Sequence, residues 1–183
     1  MKLVSYAQEF VAQRINNGSI ALDLTCGNGK DSLFLARIVG RQGKLYSIDI
    51  QKDAIQRTKK ILSNEDCLVQ SRLILSCHSK FTQKIPFELK GEISAVMFNL
   101  GYLPKGDHQL TTKSETTIAA IVNAYDWLSL RGVMTLIAYR GHPGGTQENI
   151  AVKNLISANK WNCKTEYGNQ KNESPILYMI SKN

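Results

Sequence analysis

Apolar and polar positions recur along the chain at two periods, one typical of helices and one typical of strands. Leu3, Ala7, Phe10 and Val11 lie at helical spacing and predict a first helix, which the polar stretch 16–18 ends. Later helices are predicted over residues 31–39, 51–62, 114–130 and 149–158. Short apolar runs predict strands over residues 19–23, 44–50, 71–77, 93–98, 133–139, 161–167 and 176–180. Strands and helices therefore alternate through most of the chain.

The segment 114–130 carries the most regular helical pattern. Its predicted buried stripe consists of Ile118, Ile121, Val122, Tyr125 and Leu128. Because glycine follows an arginine directly after the last apolar position, the pair 131–132 is predicted to end this helix.

The order of the elements predicts an α/β fold. Strands that alternate with helices form a mostly parallel sheet with helices on both faces. The last two predicted strands are joined by the short loop GNQKNESP, so they must pair antiparallel, because a parallel pair needs a long crossover. Five strand–helix units followed by such a hairpin are typical of the Rossmann-like sheet of class I methyltransferases. We expect one domain over residues 1–183 with a seven-stranded sheet.

The first strand runs into the glycine turn DLTCGNG, residues 23–29. Ligands of doubly wound sheets bind at the carboxyl ends of the strands, and glycine lets the backbone approach them closely. The dinucleotide fingerprint would need glycine at positions 25, 27 and 30, and only Gly27 is present. The turn resembles instead the acidic first motif of class I methyltransferases, which cradles the amino-acid part of S-adenosylmethionine. The cofactor-binding residues predicted here are Asp23, Thr25, Gly27, Asn28, Gly29 and Asp31.

Polar residues also follow the second and third predicted strands. Asp49 comes about 20 residues after the glycine turn, the spacing at which a carboxylate meets ribose hydroxyls, although capping of the next helix is the alternative. Gln51 is predicted to reach the ribose or the adenine edge. Cys77 and His78 lie where adenine usually rests. For His78, a general base and a cofactor-contacting loop residue both remain open.

The fourth predicted strand ends in Asn99-Leu100-Gly101-Tyr102. This sequence resembles the [DN]-P-P-[YF] motif of methyltransferases that act on nitrogen. An amine needs its lone pair aimed at the methyl group, and the Asn99 carboxamide oxygen can accept one of its protons. Tyr102 can pack against a flat base. Asn99 and Tyr102 are therefore the predicted catalytic residues, with Asn99 also beside the cofactor; a turn-closing Asn99 and a core Tyr102 are the alternative.

Four blocks together resemble the small bacterial methyltransferases labelled "putative rRNA methylases". They are DLTCGNGKDSLFLA, FNLGYLPKGDHQLTT, YRGHPGG and YGNQKNESPIL. That family includes enzymes that methylate 5-aminomethyl-2-thiouridine at the tRNA wobble position. The resemblance departs at residues 30 and 140, where histidine is expected, and at residue 77, where serine is common. It implies substrate-binding roles for Leu103, Lys105, Gly106, Asp107, Arg140, His142 and Pro143, with packing within its own loop as the alternative for His142.

Composition agrees with an RNA partner. The formal net charge of +8 suits a polyanion, although a solvated basic face is the alternative. The four cysteines form no CxxC pair and the three histidines are scattered, so we expect reduced thiols and no metal. No apolar run reaches the ~18 residues of a membrane span, and the N-terminus lacks the apolar block of a signal peptide. We expect a cytoplasmic protein.

The leading hypothesis is methylation, dependent on S-adenosylmethionine, of an aminomethyl group on a wobble uridine of tRNA. The anticodon stem-loop would be held by the catalytic domain itself, with a homodimer as one way to extend the grip. Ribosomal RNA or a small-molecule amine is the alternative substrate. A nicotinamide-dependent oxidoreductase is disfavoured by the failed glycine fingerprint, and a non-catalytic nucleotide-binding module by the Asn99 motif.

Overall fold

The computed structural model describes residues 2–103, 110–169 and 174–183, which form one seven-stranded sheet with helices on both faces. Helices α1 to α5 span Lys2–Ala12, Lys30–Val39, Lys52–Asn64, Ser114–Trp127 and Gly145–Ala158. Strands β1 to β7 span Ile20–Asp23, Lys44–Asp49, Ser71–Leu75, Ile93–Leu100, Leu128–Ala138, Asn162–Tyr167 and Ile176–Ser181. Two short 3-10 helices, His78–Gln83 and Phe87–Leu89, lie between β3 and β4.

The strand order is β3-β2-β1-β4-β5-β7-β6. The first five strands in this order pair parallel, and β7 pairs antiparallel with both β5 and β6. The predicted mostly parallel sheet with a C-terminal antiparallel hairpin is therefore confirmed. The chain builds outward from β1 to β3 and then returns to place β4 on the other side of β1. This switch point opens a crevice at the carboxyl ends of β1 and β4, where ligands of doubly wound sheets bind.

The sheet separates two apolar cores because neighbouring strand residues point to opposite faces. In β4, Val96 and Phe98 belong to the core beneath α4 and α5, whereas Ala95 and Met97 belong to the core beneath α1, α2 and α3. The same alternation directs Asn99 to the α1–α3 face. Within the described chain, no helix has both the length and the apolar character needed to cross a bilayer.

Helix α4 ends three residues earlier than predicted. It stops at Trp127 because Leu128 is already extended, with ψ 141°, and pairs with Ile93 of β4. The register then shifts so that Ala95 pairs with Val133, which leaves residues 129–132 as a bulge in β5. The arginine–glycine pair that was expected to end the helix forms this bulge instead.

The buried face of α4 is also rotated from the predicted one. Ile121 is buried as expected, but Val122 is 44% exposed, and the predicted stripe is wrong at that position. The face toward the sheet carries the small residues Ala120 and Ala124, which let the helix pack closely. Tyr125 is only half buried, and its ring stacks on Trp161 with centroids 4.1 Å apart. Val122 and Tyr125 therefore lie toward the edge of the buried face rather than at its centre, a difference that the periodicity did not resolve.

Candidate functional site

A cavity of about 770 Å³ opens at the carboxyl ends of β1, β2, β4 and β5. Such a volume is typical of cofactor and substrate sites. The predicted site residues that line it are Thr25, Gly27, Asn28, Asp31, Asp49, Gln51, Cys77, His78, Asn99, Tyr102, Leu103, Arg140 and His142. Asp23, Gly29 and Pro143 are described but do not line it. Lys105, Gly106 and Asp107 lie outside the described residues, so their predicted roles remain predictions.

The turn after β1 contains two glycines in the left-handed conformation, and each faces a different part of the molecule. Gly27, at φ 50°, faces the cavity, and a Cβ added to it would lie 3.4 Å from Leu103 Cδ1. Gly29, at φ 78°, faces α3, where an added Cβ would lie 2.8 Å from Thr58 Cα. Gly27 therefore leaves room for a ligand, whereas Gly29 allows α2 and α3 to pack together.

Asp23 supports this turn from beneath. Its carboxylate is fully buried and accepts hydrogen bonds from the Thr25 N–H at 3.3 Å and from Ser32 Oγ at 2.6 Å. Burial, and then the nearby charge of Asp31, raise the pKa of Asp23 to about 8. Asp23 was predicted to bind the cofactor, but it lies beneath the cavity wall and its hydrogen bonds go to the turn and to Ser32.

Asp49 connects the turn after β1 to the start of α3. Its Oδ2 accepts the Gly27 N–H at 2.9 Å, and its Oδ1 accepts the Gln51 N–H at 2.9 Å. Capping and cofactor binding are therefore compatible, because each carboxylate oxygen can accept a second hydrogen bond from the cavity side. Burial raises the pKa of Asp49, and the backbone donors at Gln51 and Gly27 partly oppose that rise.

Asn99 is held by a chain of side chains that crosses two helices. Its Nδ2 donates to Asp31 Oδ2 at 2.7 Å, and Gln8 of α1 donates through Nε2 to Asp31 Oδ1, also at 2.7 Å. The Asn99 N–H donates to Thr25 Oγ1 at 2.6 Å. A carboxylate can only accept, so the Asn99 Nδ2 must face Asp31, and its Oδ1 is left as the acceptor. Within the described chain, no residue donates a hydrogen bond to that oxygen.

Gln8 is a site residue that the sequence analysis did not identify. The signal was present, because Val4 and Gln8 are four residues apart and lie on one side of α1. Val4 lines the cavity, and Gln8 is half buried next to the buried Ala7. Two further cavity residues that were missed, Thr112 and Tyr139, became visible only when the loops around β4 and β5 were placed.

Tyr102 and His142 form one wall of the cavity. Their ring centroids are 6.1 Å apart in an edge-on arrangement, and Tyr102 is 41% exposed, so it is not a core residue. A Cβ on Gly145 would lie 2.8 Å from His142 Nε2, and Gly101 faces the Cβ of Tyr139 closely. His142 therefore packs against Gly145 within its own loop and also lines the cavity.

His78 lies deeper, at the start of the 3-10 helix that follows β3. It is 8% exposed, its Nε2 is buried, and within the described residues this nitrogen has no hydrogen-bond partner. Burial lowers the pKa of His78 to about 4, so the ring is neutral near pH 7. His78 therefore lines the cavity with a neutral ring, and its Nε2 has unused hydrogen-bonding capacity among the described residues.

Basic residues contribute to the cavity wall. Lys30, Lys113 and Arg140 line it, and both lysines are exposed. Arg140 is oriented by its Nε, which donates to the Ser174 carbonyl at 2.8 Å. No group of three or more histidine, cysteine, aspartate or glutamate side chains within the described residues is arranged to hold a metal ion.

Comparison with known proteins gives the family. Residues 45–181 match the family model described as "Putative rRNA methylase", and residues 15–73 match a methyltransferase domain. A chloroplastic tRNA (mnm(5)s(2)U34)-methyltransferase of Arabidopsis thaliana is 34% identical over 93% of this chain. The chain spans 65% of the length of that relative.

Solved structures superpose on nearly the whole of this chain. A "putative rRNA-methylase" from Clostridium thermocellum superposes with a TM-score of 0.91 at 34% identity, covering 98% of this chain and 97% of its own. A "putative methyltransferase" from Streptococcus mutans, in complex with SAH, gives 0.83 at 30% identity with the same coverages. The expected family, fold class and S-adenosylmethionine-dependent methyltransferase class are confirmed. The chain belongs to the putative rRNA methylase family, and its fold is that of a class I methyltransferase.

Proposed function

We propose that this protein transfers a methyl group from S-adenosylmethionine to the amine of 5-aminomethyl-2-thiouridine at the tRNA wobble position, giving 5-methylaminomethyl-2-thiouridine. The observation that carries the proposal is the fixed Asn99 carboxamide, whose nitrogen is bound to Asp31 and whose oxygen is left as an acceptor. An amine is a substrate that such an acceptor can orient. The name of the Arabidopsis relative supports the tRNA substrate.

The residues of the cavity fit S-adenosylmethionine. The backbone at Gly27 leaves space beside the turn after β1, where the amino-acid part would lie. Asp49 has acceptor capacity for ribose hydroxyls. The orphaned His78 Nε2, with Cys77 beside it in the same wall, offers a hydrogen bond to the adenine edge. When bound, this cofactor supplies an electrophilic methyl group on a positively charged sulfur, a good leaving group.

The task left to the protein is to orient the amine. The lone pair of the substrate nitrogen would form the new carbon–nitrogen bond, the sulfur would leave with the electron pair of the carbon–sulfur bond, and the surplus proton on nitrogen would pass to solvent. Asn99 Oδ1 accepts one amine N–H and so restricts rotation of the lone pair. Positioning of this kind can lower a barrier by roughly 7–11 kcal/mol in well-oriented systems. Asn99 therefore acts as an orienting acceptor, and no strong base is required for an amine that arrives neutral.

The wall formed by Tyr102 and His142 suits a nucleobase. Tyr102 is 41% exposed and lines the cavity, so its ring can pack against an unpaired base that enters there. Lys113 and Arg140, with the predicted residues Leu103 and Pro143, would contact the neighbouring nucleotides of the anticodon stem-loop. The homodimer and the cytoplasmic location remain predictions.

Nucleoside mass spectrometry tests the proposal. A strain that lacks the gene should accumulate 5-aminomethyl-2-thiouridine in its tRNA and lose the methylated nucleoside. Purified protein with methyl-labelled cofactor should then label tRNA from the deletion strain, but not tRNA from the parent strain or ribosomal RNA. Unchanged tRNA nucleosides in the deletion strain would refute the proposed substrate, and labelling of ribosomal RNA alone would assign the alternative one.

A further inference from the structure

We infer that Gln8 of the N-terminal helix is a positioning residue for catalysis, which acts on Asn99 through Asp31. The inference rests on the proposed orienting role of Asn99. It assigns a function to α1, a helix that precedes the first strand of the sheet.

The contacts form a continuous path from α1 to β4. Gln8 Nε2 lies 2.7 Å from Asp31 Oδ1, and Asn99 Nδ2 lies 2.7 Å from Asp31 Oδ2. Asp31 is 7% exposed, so its two oxygens have little access to water as an alternative donor. Each oxygen of this buried carboxylate therefore depends on one side-chain amide.

The Asp31 carboxylate needs both donors to keep its orientation. It carries negative charge near Asp23, whose pKa it helps to raise, so loss of a donor leaves a poorly solvated charge. With Gln8 removed, the carboxylate can rotate about its terminal bond, and the hydrogen bond to Asn99 loses its alignment. The Asn99 oxygen would then no longer be fixed toward the amine.

Packing does not require a glutamine at this position. The apolar contact of α1 with the sheet is supplied by the buried residues Leu3, Ala7 and Val11. Gln8 is half buried beside them, and its amide is directed to Asp31 rather than to the backbone of its own helix. A polar, half-buried side chain that adds nothing to the apolar face, but completes the hydrogen bonding of a cavity carboxylate, fits a positioning role.

The variant Gln8→Glu tests this contact because it keeps the size of the side chain, removes the donor and, when ionised, repels Asp31. At pH 8 we expect kcat for tRNA methylation to fall by about ten- to a hundredfold, with KM for tRNA and cofactor affinity changed less than about twofold. The ratio of variant to wild-type kcat should rise as the pH is lowered, because a proton shared by Glu at position 8 and Asp31 restores the hydrogen bond. The matched control is Gln13→Glu, the same change at an exposed position just beyond α1.

A double-mutant cycle separates positioning from general stability. In the background of Asn99→Ala, Gln8→Ala should cause no further loss of kcat, because the residue that it positions is absent. An additive loss there, or wild-type kcat at every pH in Gln8→Glu, would overturn the inference.

A spectroscopic measurement keeps the inference separate from the choice of substrate. The side-chain amide signals of Asn99, identified by their disappearance in Asn99→Ala, should shift in Gln8→Glu and stay in place in Gln13→Glu. Unshifted signals in Gln8→Glu would refute the contact whatever RNA is methylated. Failure of the wild-type protein to methylate tRNA would instead refute the proposed function.

Discussion

Asn99 shows how one neighbour decides what an ambivalent side chain can do. A carboxamide offers both a donor and an acceptor, and sequence cannot tell which one faces the substrate. Asp31 can only accept, and its contact at 2.7 Å therefore fixes the nitrogen on the protein side. This one hydrogen bond therefore leaves the Asn99 oxygen as the acceptor for the amine.

Replacement of Asn99 and of Asp49 should separate orientation from cofactor binding. Asn99→Ala should lower kcat by about a hundredfold while cofactor affinity stays near that of the wild type, because it removes the amine contact and the hydrogen bond to Asp31 but keeps Asp49 and the Gly27 turn. Asp49→Ala should mainly weaken cofactor binding, since it removes the ribose acceptor and the Gly27 N–H partner. Calorimetry with S-adenosylmethionine and single-turnover labelling measure the two effects. Full turnover in Asn99→Ala would contradict the orienting role.

Asp23 should make stability depend on pH. Its pKa is raised from 3.8 to about 8, so the folded protein binds this proton more tightly than the unfolded chain does. The free energy of unfolding should therefore fall as the pH rises from about 4 to about 8. Asp23→Asn removes this contribution, and its stability relative to wild type should increase over that range. Urea unfolding at several pH values measures the difference, with Asp53→Asn on the exposed face of α3 as control. A difference in unfolding free energy between Asp23→Asn and wild type that stays constant with pH would show that Asp23 does not hold this proton in the folded protein.

At the scale of the elements, the turn after β1 connects the cofactor site to helix packing. Sequence predicted its glycines as ligand contacts, and the structure divides them, with Gly27 at the cavity and Gly29 against α3. Both have positive φ, and only their surroundings differ. The left-handed backbone could be anticipated from the GNG pattern. Its neighbours could not, because Thr58 is far from the turn in sequence.

Gly29→Ala and Gly144→Ala should differ in stability although both begin helices in left-handed conformation. Each substitution carries the backbone cost of about 1–2 kcal/mol. A Cβ at Gly29 also meets Ile61 Cγ2 at 2.7 Å and Thr58 Cα at 2.8 Å, whereas at Gly144 nothing lies within 4 Å. We expect Gly29→Ala to lose a further 1–3 kcal/mol or so of unfolding free energy. Denaturant unfolding of both variants tests this, and equal losses would contradict the packing role.

At the scale of the whole molecule, part of the basic charge lies beside the site. Lys113 and Arg140 line the cavity at the carboxyl ends of the strands, where the substrate base must enter. Lys44, by contrast, lies at the amino end of β2, on the opposite edge of the sheet. A basic edge beside the site is suited to the phosphates that flank a bound base.

The salt dependence of tRNA binding should show whether RNA binds at the edge that carries Lys113 and Arg140. Lys113→Ala and Arg140→Ala should each weaken binding and lower the slope of log affinity against log salt by about 0.7–0.9. Lys44→Ala, which removes the same charge from the opposite edge, should leave the slope unchanged. Filter binding or fluorescence anisotropy at several salt concentrations measures it. Equal slopes for Lys113→Ala and Lys44→Ala would place the RNA elsewhere.

Sequence alone determined the order of the elements, the parallel sheet and the terminal hairpin, because hydrophobic periodicity and loop length are local properties. It also indicated the ends of β1, β2 and β4 as the site, since polar residues there follow buried strands. Tertiary structure decided the rest. The early end of α4 depends on the pairing of Leu128 with Ile93, and the orientation of Asn99 depends on Asp31 and Gln8. The partners are 35 positions apart in the sequence for Leu128 and Ile93, 68 for Asn99 and Asp31, and 23 for Gln8 and Asp31. A local sequence pattern does not indicate which distant side chains will meet.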